Sequence, residues 1–247
     1  MTSNAPTKCC TIGVLHEGTP TGEIKAIGET PTYFAYPPSR STEYAVLILT
    51  DVIGYTSTNV QLVADQFAAN GYFVVMPDLF HGDPVKLNRD PGYDIMKWLE
   101  GHPADIVDPV VEEVLAAMKK DYGVKKIGAV GHCFGAKYAI RFLSAAVSCA
   151  YVAHPAFVTS EELRAVKGPL SISACEHDDS FTVEKRYESE AILREVGVPY
   201  QINLFSHADH GFSVRSDMSI RAIRWAKEQA FVQAVQWLDE HLKRDSQ

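Results

Sequence analysis

Apolar residues in this chain fall into two alternating patterns. Short unbroken runs of strand length are followed by stretches with helical spacing. Ala45–Thr50 (AVLILT) is apolar throughout, as expected of a strand covered on both faces. Beyond it, Val60, Val63, Ala64, Phe67 and Ala68 fall at i, i+3, i+4, i+7 and i+8, which predicts a helix capped by Thr58 and ended at Asn70-Gly71. The alternation continues with strands near Tyr72–Met76, Lys126–Val130, Cys149–Ala153, Leu170–Cys175 and Tyr200–Phe205. Helices are predicted at Phe134–Val147, Ser160–Val166, Val183–Val196 and Ile220–Leu242, the last with Phe231, Ala234, Val235 and Leu238 inward. Asp108-Pro109 reads as the start of a further helix, an N-cap followed by proline at the first position, with Val111, Val114, Leu115 and Met118 buried and Gly123 at its end.

Strands alternating with helices at this spacing imply right-handed βαβ units. The fold class is α/β: a mainly parallel twisted sheet with helices on both faces. Two segments stand outside the pattern. Pro77–Ala104 is rich in proline and glycine without a sustained period, and reads as an ordered excursion over one end of the sheet. Residues 1–30 read as an irregular arm packed on a single domain spanning 31–247.

Composition narrows the function classes. The chain has 247 residues, 46% of them hydrophobic, which excludes disordered, collagen-like and coiled-coil classes. Lys+Arg 23 against Asp+Glu 31 gives a net charge of −8 without basic clusters, a poor match to nucleic acid or anionic membrane. No apolar run approaches the roughly 20 residues of a membrane span. The opening MTSNAPTKCCTIGV has no signal-peptide core, and the closing RDSQ has no lipidation signal. Five cysteines without a C-x-x-C pair suit a reducing compartment, so a cytoplasmic monomer or homodimer is expected.

The sharpest motif is Gly131-His132-Cys133-Phe134-Gly135, between a predicted strand and a predicted helix. That is the setting of a nucleophile elbow, with cysteine in place of serine. Side chains at the two glycine positions would collide with the flanking elements, and the helix N-terminus favours a thiolate. A thiol nucleophile needs a base, and the base needs an orienting acid, in chain order nucleophile, acid, histidine. Asp178 follows a strand, flanked by Glu176 and Asp179 as alternatives. His210 follows the next strand, with His207 as its rival and Gly211 allowing close approach. Both fall at strand carboxyl ends, where open α/β sheets carry their sites. A metal reading finds weak footing. In His207-x-Asp209-His210 the first histidine of a metallohydrolase motif is replaced by Phe205, and Cys9, Cys10 and His16 match no common zinc spacing.

These residues resemble the dienelactone hydrolase family of α/β-hydrolases. The likeness runs through Thr50–Gly54, Gly71-Tyr72 to Leu79, the elbow, the segment around Asp178, and His210-Gly211-Phe212. The Cys9-Cys10 opening with Gly13, His16 and Gly18, and Glu184-Lys185-Arg186, look like the fungal branch. The resemblance implies an α/β-hydrolase fold and a Cys133–His210–Asp178 triad. It also implies an oxyanion hole from the backbone N–H groups of Val52 and Phe134. Asp51 takes the place of a family glutamate that engages the resting thiol and is read as modulating the nucleophile. The family's two substrate-reading arginines are replaced by Gly82 and Val214, so a different pocket is expected from Phe80, His81, Trp98 and Arg215. The expected activity is hydrolysis of a small lactone, ester or thioester, without cofactor or metal. The alternative is a non-catalytic or redox-sensing homologue with the same pocket.

Overall fold

The computed structural model describes residues 1–90, 92–143 and 146–244, with the side chain of Lys8 excepted. Eight strands form one sheet: β1 (Glu23–Ile27), β2 (Thr30–Ala35), β3 (Tyr44–Leu49), β4 (Phe73–Pro77), β5 (Lys126–His132), β6 (Cys149–Ala153), β7 (Leu170–His177) and β8 (Tyr200–Asp209). Their spatial order is β1-β2-β4-β3-β5-β6-β7-β8. β1–β2 and β2–β4 pair antiparallel, and every later pair is parallel.

The central strands are apolar throughout because both their faces are covered. On β3, Ala45, Leu47 and Leu49 turn to one core, and Val46 and Ile48 to the other. The second core is closed by α1 (Thr58–Ala69) and α8 (Arg221–Leu238), through Val60, Val63, Phe67, Ala234 and Leu238. The first is closed by α3 (Ala104–Lys120), α4 (Phe134–Phe142), α5 (Ser160–Arg164) and α6 (Val183–Val196). Each fully buried valine, leucine, isoleucine or phenylalanine side chain among them is worth roughly 1.5–3 kcal/mol relative to exposure.

Several predicted boundaries move. α3 begins at Ala104, not Asp108, so Pro109 lies inside the helix. Val107, buried and bonded through its N–H to Pro103, adds a turn to the apolar stripe and outweighs the proline signal. Ser57 rather than Thr58 precedes the first turn of α1. α4 is helical to Phe142, and the predicted continuation to Val147 crosses residues 144–145, outside the described set. A single turn, α7 (Phe212–Arg215), precedes α8, which is followed by a wider π turn at Asp239–Lys243. The excursion 77–104, whose Pro91 is also outside the described set, holds a short helix α2 (Ile95–Glu100). Its N-cap Asp94 accepts from the Met96 and Lys97 N–H groups. The stretch read as an irregular arm contains a 3₁₀ turn at Lys8–Thr11 and the edge strand β1. Among the described residues no helix is long and apolar enough to cross a membrane.

Candidate active site

Cys133 occupies the turn between β5 and α4 with φ 51° and ψ −110°, a conformation costly for any residue with a Cβ. Two glycines permit it. A Cβ on Gly131 would lie 2.6 Å from the Ala136 Cα, and one on Gly135 would lie 2.0 Å from the Leu49 carbonyl oxygen. Both obstacles are backbone, so neither position tolerates a side chain. Among the described residues, the N–H groups of Val52 and Phe134 have no protein acceptor. Val52 is tied to the excursion through its carbonyl, which accepts from the Val85 N–H at 2.8 Å.

At the adjoining strand ends, His210 and Asp178 meet. His210 Nδ1 lies 2.9 Å from Asp178 Oδ1, with both side chains fully buried. The same oxygen accepts from the backbone N–H groups of Ser180 (2.8 Å) and Phe181 (3.0 Å), and the Cys175 thiol donates to Oδ2 at 3.3 Å. Burial alone would raise the Asp178 pKa, but His210 and the two N–H donors outweigh it and hold it below the usual carboxylate value. Burial would likewise lower His210. The Cys10 sulfur and the Asp178 carboxylate outweigh that and hold the imidazole well above its ordinary value. The flanking alternatives stand apart. Glu176 accepts from the His207 backbone N–H at the surface, and both residues are exposed.

The partner of His210 Nε2 was not foreseen. It is Cys10 Sγ, buried, at 3.3 Å. Among the described residues no hydrogen bond joins Cys133 to His210. The arm reaches the site by backbone pairing. Ser3 donates to the Val158 carbonyl, Asn4 to Ser180, and Val14 to Arg215. His16 is engaged elsewhere, its Nε2 lying 2.8 Å from the Ser216 carbonyl. The sequence signal was the Cys9-Cys10 pair itself, but nothing in its spacing pointed to a histidine 200 residues away.

Arg215 and Asp51 form a buried ion pair at 2.6 Å. Arg215 also donates through Nε to the Ile12 carbonyl (3.0 Å) and through Nη2 to the Cys9 carbonyl (3.1 Å), so its fork clasps the arm. Burial opposes its charge, and Asp51 and the thiols of Cys133, Cys10 and Cys9 more than restore it. Asp51 has its other oxygen on the Ile53 N–H at 3.0 Å. The two residues expected to act on substrate or thiol thus hold each other, and Arg215 in addition holds the arm. Phe80 and Trp98 pack on Phe134, with ring centroids 5.3 and 6.0 Å from it, while His81 is exposed.

Behind the site lies a second unforeseen group. Ser213 Oγ is 2.9 Å from His132 Nδ1 and 2.7 Å from His154 Nε2. The His154 ring packs edge-on against His210 at 4.9 Å. Burial, with Lys227 and Arg215 nearby, lowers His132 to about 3, and burial beside His210 pushes His154 well down. Both rings are therefore neutral at neutral pH. A cavity of about 610 Å³ opens beside His210, lined in part by Cys9, Asp178 and Arg215 but not by Cys133. Among the described residues, the three-donor group suited to a metal ion is Cys9, Cys10 and His210.

Comparison with known proteins agrees with this architecture. The family model described as "Dienelactone hydrolase family" matches residues 30–242. "Hydrolase pyvD" of Aspergillus violaceofuscus is 49% identical over 99% of this chain and 100% of its own length. "Hydrolase tropI" of Talaromyces stipitatus is 48% identical over 98% and 99%. "Dienlactone hydrolase 1" of Gibberella moniliformis is 34% identical over 96% and 94%. A crystal structure of a putative dienelactone hydrolase from Klebsiella pneumoniae shares the fold, with a TM-score of 0.74 at 14% identity over 89% of this chain and 98% of that one. With family model, relatives and fold in agreement, the chain belongs to the dienelactone hydrolase family and is a hydrolase of the ester and lactone class.

Proposed function

We propose that the protein hydrolyses a small lactone, ester or thioester in the cytoplasm, with Cys133 as nucleophile, His210 as base and Asp178 as its orienting acid. One observation carries the reading: a cysteine on a strained glycine-flanked turn shares the sheet's carboxyl edge with a buried His–Asp pair at 2.9 Å. In this scheme the Cys133 sulfur attacks the acyl carbon while His210 Nε2 takes the thiol proton. The tetrahedral oxyanion is met by the Val52 and Phe134 N–H groups. His210 returns the proton to the departing oxygen or sulfur, leaving an acyl thioester on Cys133. It then takes a proton from water, which attacks the thioester; the C–S bond breaks, His210 returns that proton to the Cys133 sulfur, and the acid is freed. Asp178 keeps the proton on Nδ1 so that Nε2 faces the thiol. Thiolate leaves more readily than an amine, so activated acyl groups are favoured over amides. The five free cysteines suit a reducing compartment.

Cys10 must vacate Nε2 before Cys133 can use it, and its departure also removes the foremost contact that holds the imidazole protonated, freeing Nε2 to act as base. That same contact favours a second reading, a non-catalytic or redox-sensing homologue whose thiols react without turnover. Hydrolysis of a small activated ester by wild type, Cys133→Ala and His210→Ala decides between them. The hydrolase reading expects each variant to lose at least about 10³-fold in kcat. Activity that survives Cys133→Ala overturns the assignment. A wild type that is alkylated at Cys133 yet turns over no ester supports the sensor.

A further inference from the structure

We propose that Cys9, Cys10 and His210 form a binding site for one thiophilic d10 dication of the zinc class, and that an ion held there switches the hydrolase off. The three donor atoms, two Sγ and a ring nitrogen of His210, lie within 4.8 Å of one another, and Nε2 is the nitrogen that Asp178 leaves to them. Tetrahedral zinc, with Zn–S near 2.3 Å and Zn–N near 2.0–2.1 Å, sets its sulfurs about 3.8 Å apart and each sulfur about 3.5 Å from the nitrogen. The Cys10–His210 distance of 3.3 Å is already within a few tenths of that spacing. Two thiols and an imidazole select soft or borderline ions over magnesium or calcium.

The surroundings complete the site. His210 is tied through Nδ1 to the Asp178 carboxylate, the arrangement that orients a metal-binding imidazole and strengthens it as a ligand. The cysteine turn is anchored by Arg215, which donates to the Cys9 carbonyl, and by the Thr7 carbonyl, which accepts from the Cys10 N–H. Cys9 and His210 both line the 610 Å³ cavity, which offers an entry path and a fourth coordination position for water. Charge also balances. Two thiolates neutralise the dication, and the nearby Arg215–Asp51 pair is neutral in itself. Entry of the ion releases the Cys9 and Cys10 thiol protons to solvent, with no change of oxidation state.

Binding of the ion stands independently of the proposed mechanism. Only its inhibitory effect rests on His210 as the base, since an imidazole nitrogen bonded to metal cannot accept a proton. Cys133 is not part of the site, and this separates the two proposals.

The test is titration of the reduced, metal-free full chain with Cd²⁺, read by thiolate-to-metal absorbance, in wild type, Cys133→Ala, Cys9→Ser and Cys10→Ser. Thermal melting first establishes that each variant is folded. One equivalent should bind to wild type and to Cys133→Ala alike, and binding should weaken at least ~10-fold in each of the other two. In parallel, zinc should inhibit wild-type ester hydrolysis reversibly by chelator. Relative to its own zinc-free rate, Cys10→Ser should need at least ~10-fold more zinc. Unchanged Cd²⁺ binding in Cys9→Ser or Cys10→Ser overturns the site, and so does loss of binding in Cys133→Ala. A wild type that binds Cd²⁺ but hydrolyses nothing upholds the site while refuting the hydrolase mechanism.

Discussion

Arg215→Met separates two roles for the buried guanidinium. As a substrate reader, Arg215 would matter for KM and little for stability. The structure instead gives its donors to Asp51 at 2.6 Å, Ile12 at 3.0 Å and Cys9 at 3.1 Å. The methionine would leave the Asp51 carboxylate buried without its counter-ion and two arm carbonyls unpaired. Removing one partner of a buried ion pair costs about 3–5 kcal/mol. For a domain of this size each kcal/mol moves Tm by about 2–4 °C, so a fall of about 6–20 °C is expected. Asp51→Asn/Arg215→Met removes both charges and should recover most of the loss, because the stranded carboxylate dominates it. Thermal melting and urea unfolding at constant m measure both. A single variant that melts with wild type while its KM rises several-fold would refute the clasp and mark Arg215 as a substrate reader.

Gly135→Ala places a methyl 2.0 Å from the Leu49 carbonyl oxygen, so β3 and α4 must separate; melting should fall by at least about 5 °C with loss of hydrolysis, and an unchanged melt would contradict the packing. Asp178→Asn should lower kcat by about 10²–10⁴-fold with little change in KM, measured by steady-state hydrolysis. The same pair shapes stability against pH. The depressed Asp178 pKa contributes stability present above its unfolded value and lost as pH falls through the folded one; the raised His210 pKa contributes stability present below its unfolded value near ~6.5 and lost as pH rises through the folded one. Urea midpoints followed across pH should therefore fall on both limbs in wild type and flatten in Asp178→Asn. Deleting residues 1–16, which precede β1, should speed alkylation of the buried Cys133 at least ~10-fold, the effect of removing about 1.4 kcal/mol of protection; equal rates by mass spectrometry would show that the arm does not guard the site.

The α/β class, most central strands and the placement of Cys133, Asp178 and His210 at strand carboxyl ends were legible in the chain because they are local. Both faces of β3 are buried, so its run is apolar. The elbow needs glycines two residues to either side of the cysteine, so they stand in the sequence. The antiparallel β1 and β2 carry no such local signal. β1 is an exposed edge with one buried residue of five, and carries no alternation to read. The five extra residues of α3, Ala104–Asp108, are hidden because proline signals a helix start, although a helix stabilised by its buried face can carry one inside.

What the residues determined by themselves was a strained cysteine between two glycines and an acid and a histidine in the right order, since steric exclusion and strand periodicity act over a few positions. Tertiary structure alone decided which groups touch. It brought Cys10 to the nitrogen of His210, turned Arg215 and Asp51 towards each other, and placed His132, Ser213 and His154 in a row behind the site. Such contacts join segments up to 200 residues apart. They arise from burial, where a charged or polar group must find a partner wherever the fold supplies one, and spacing along the chain carries no trace of that choice.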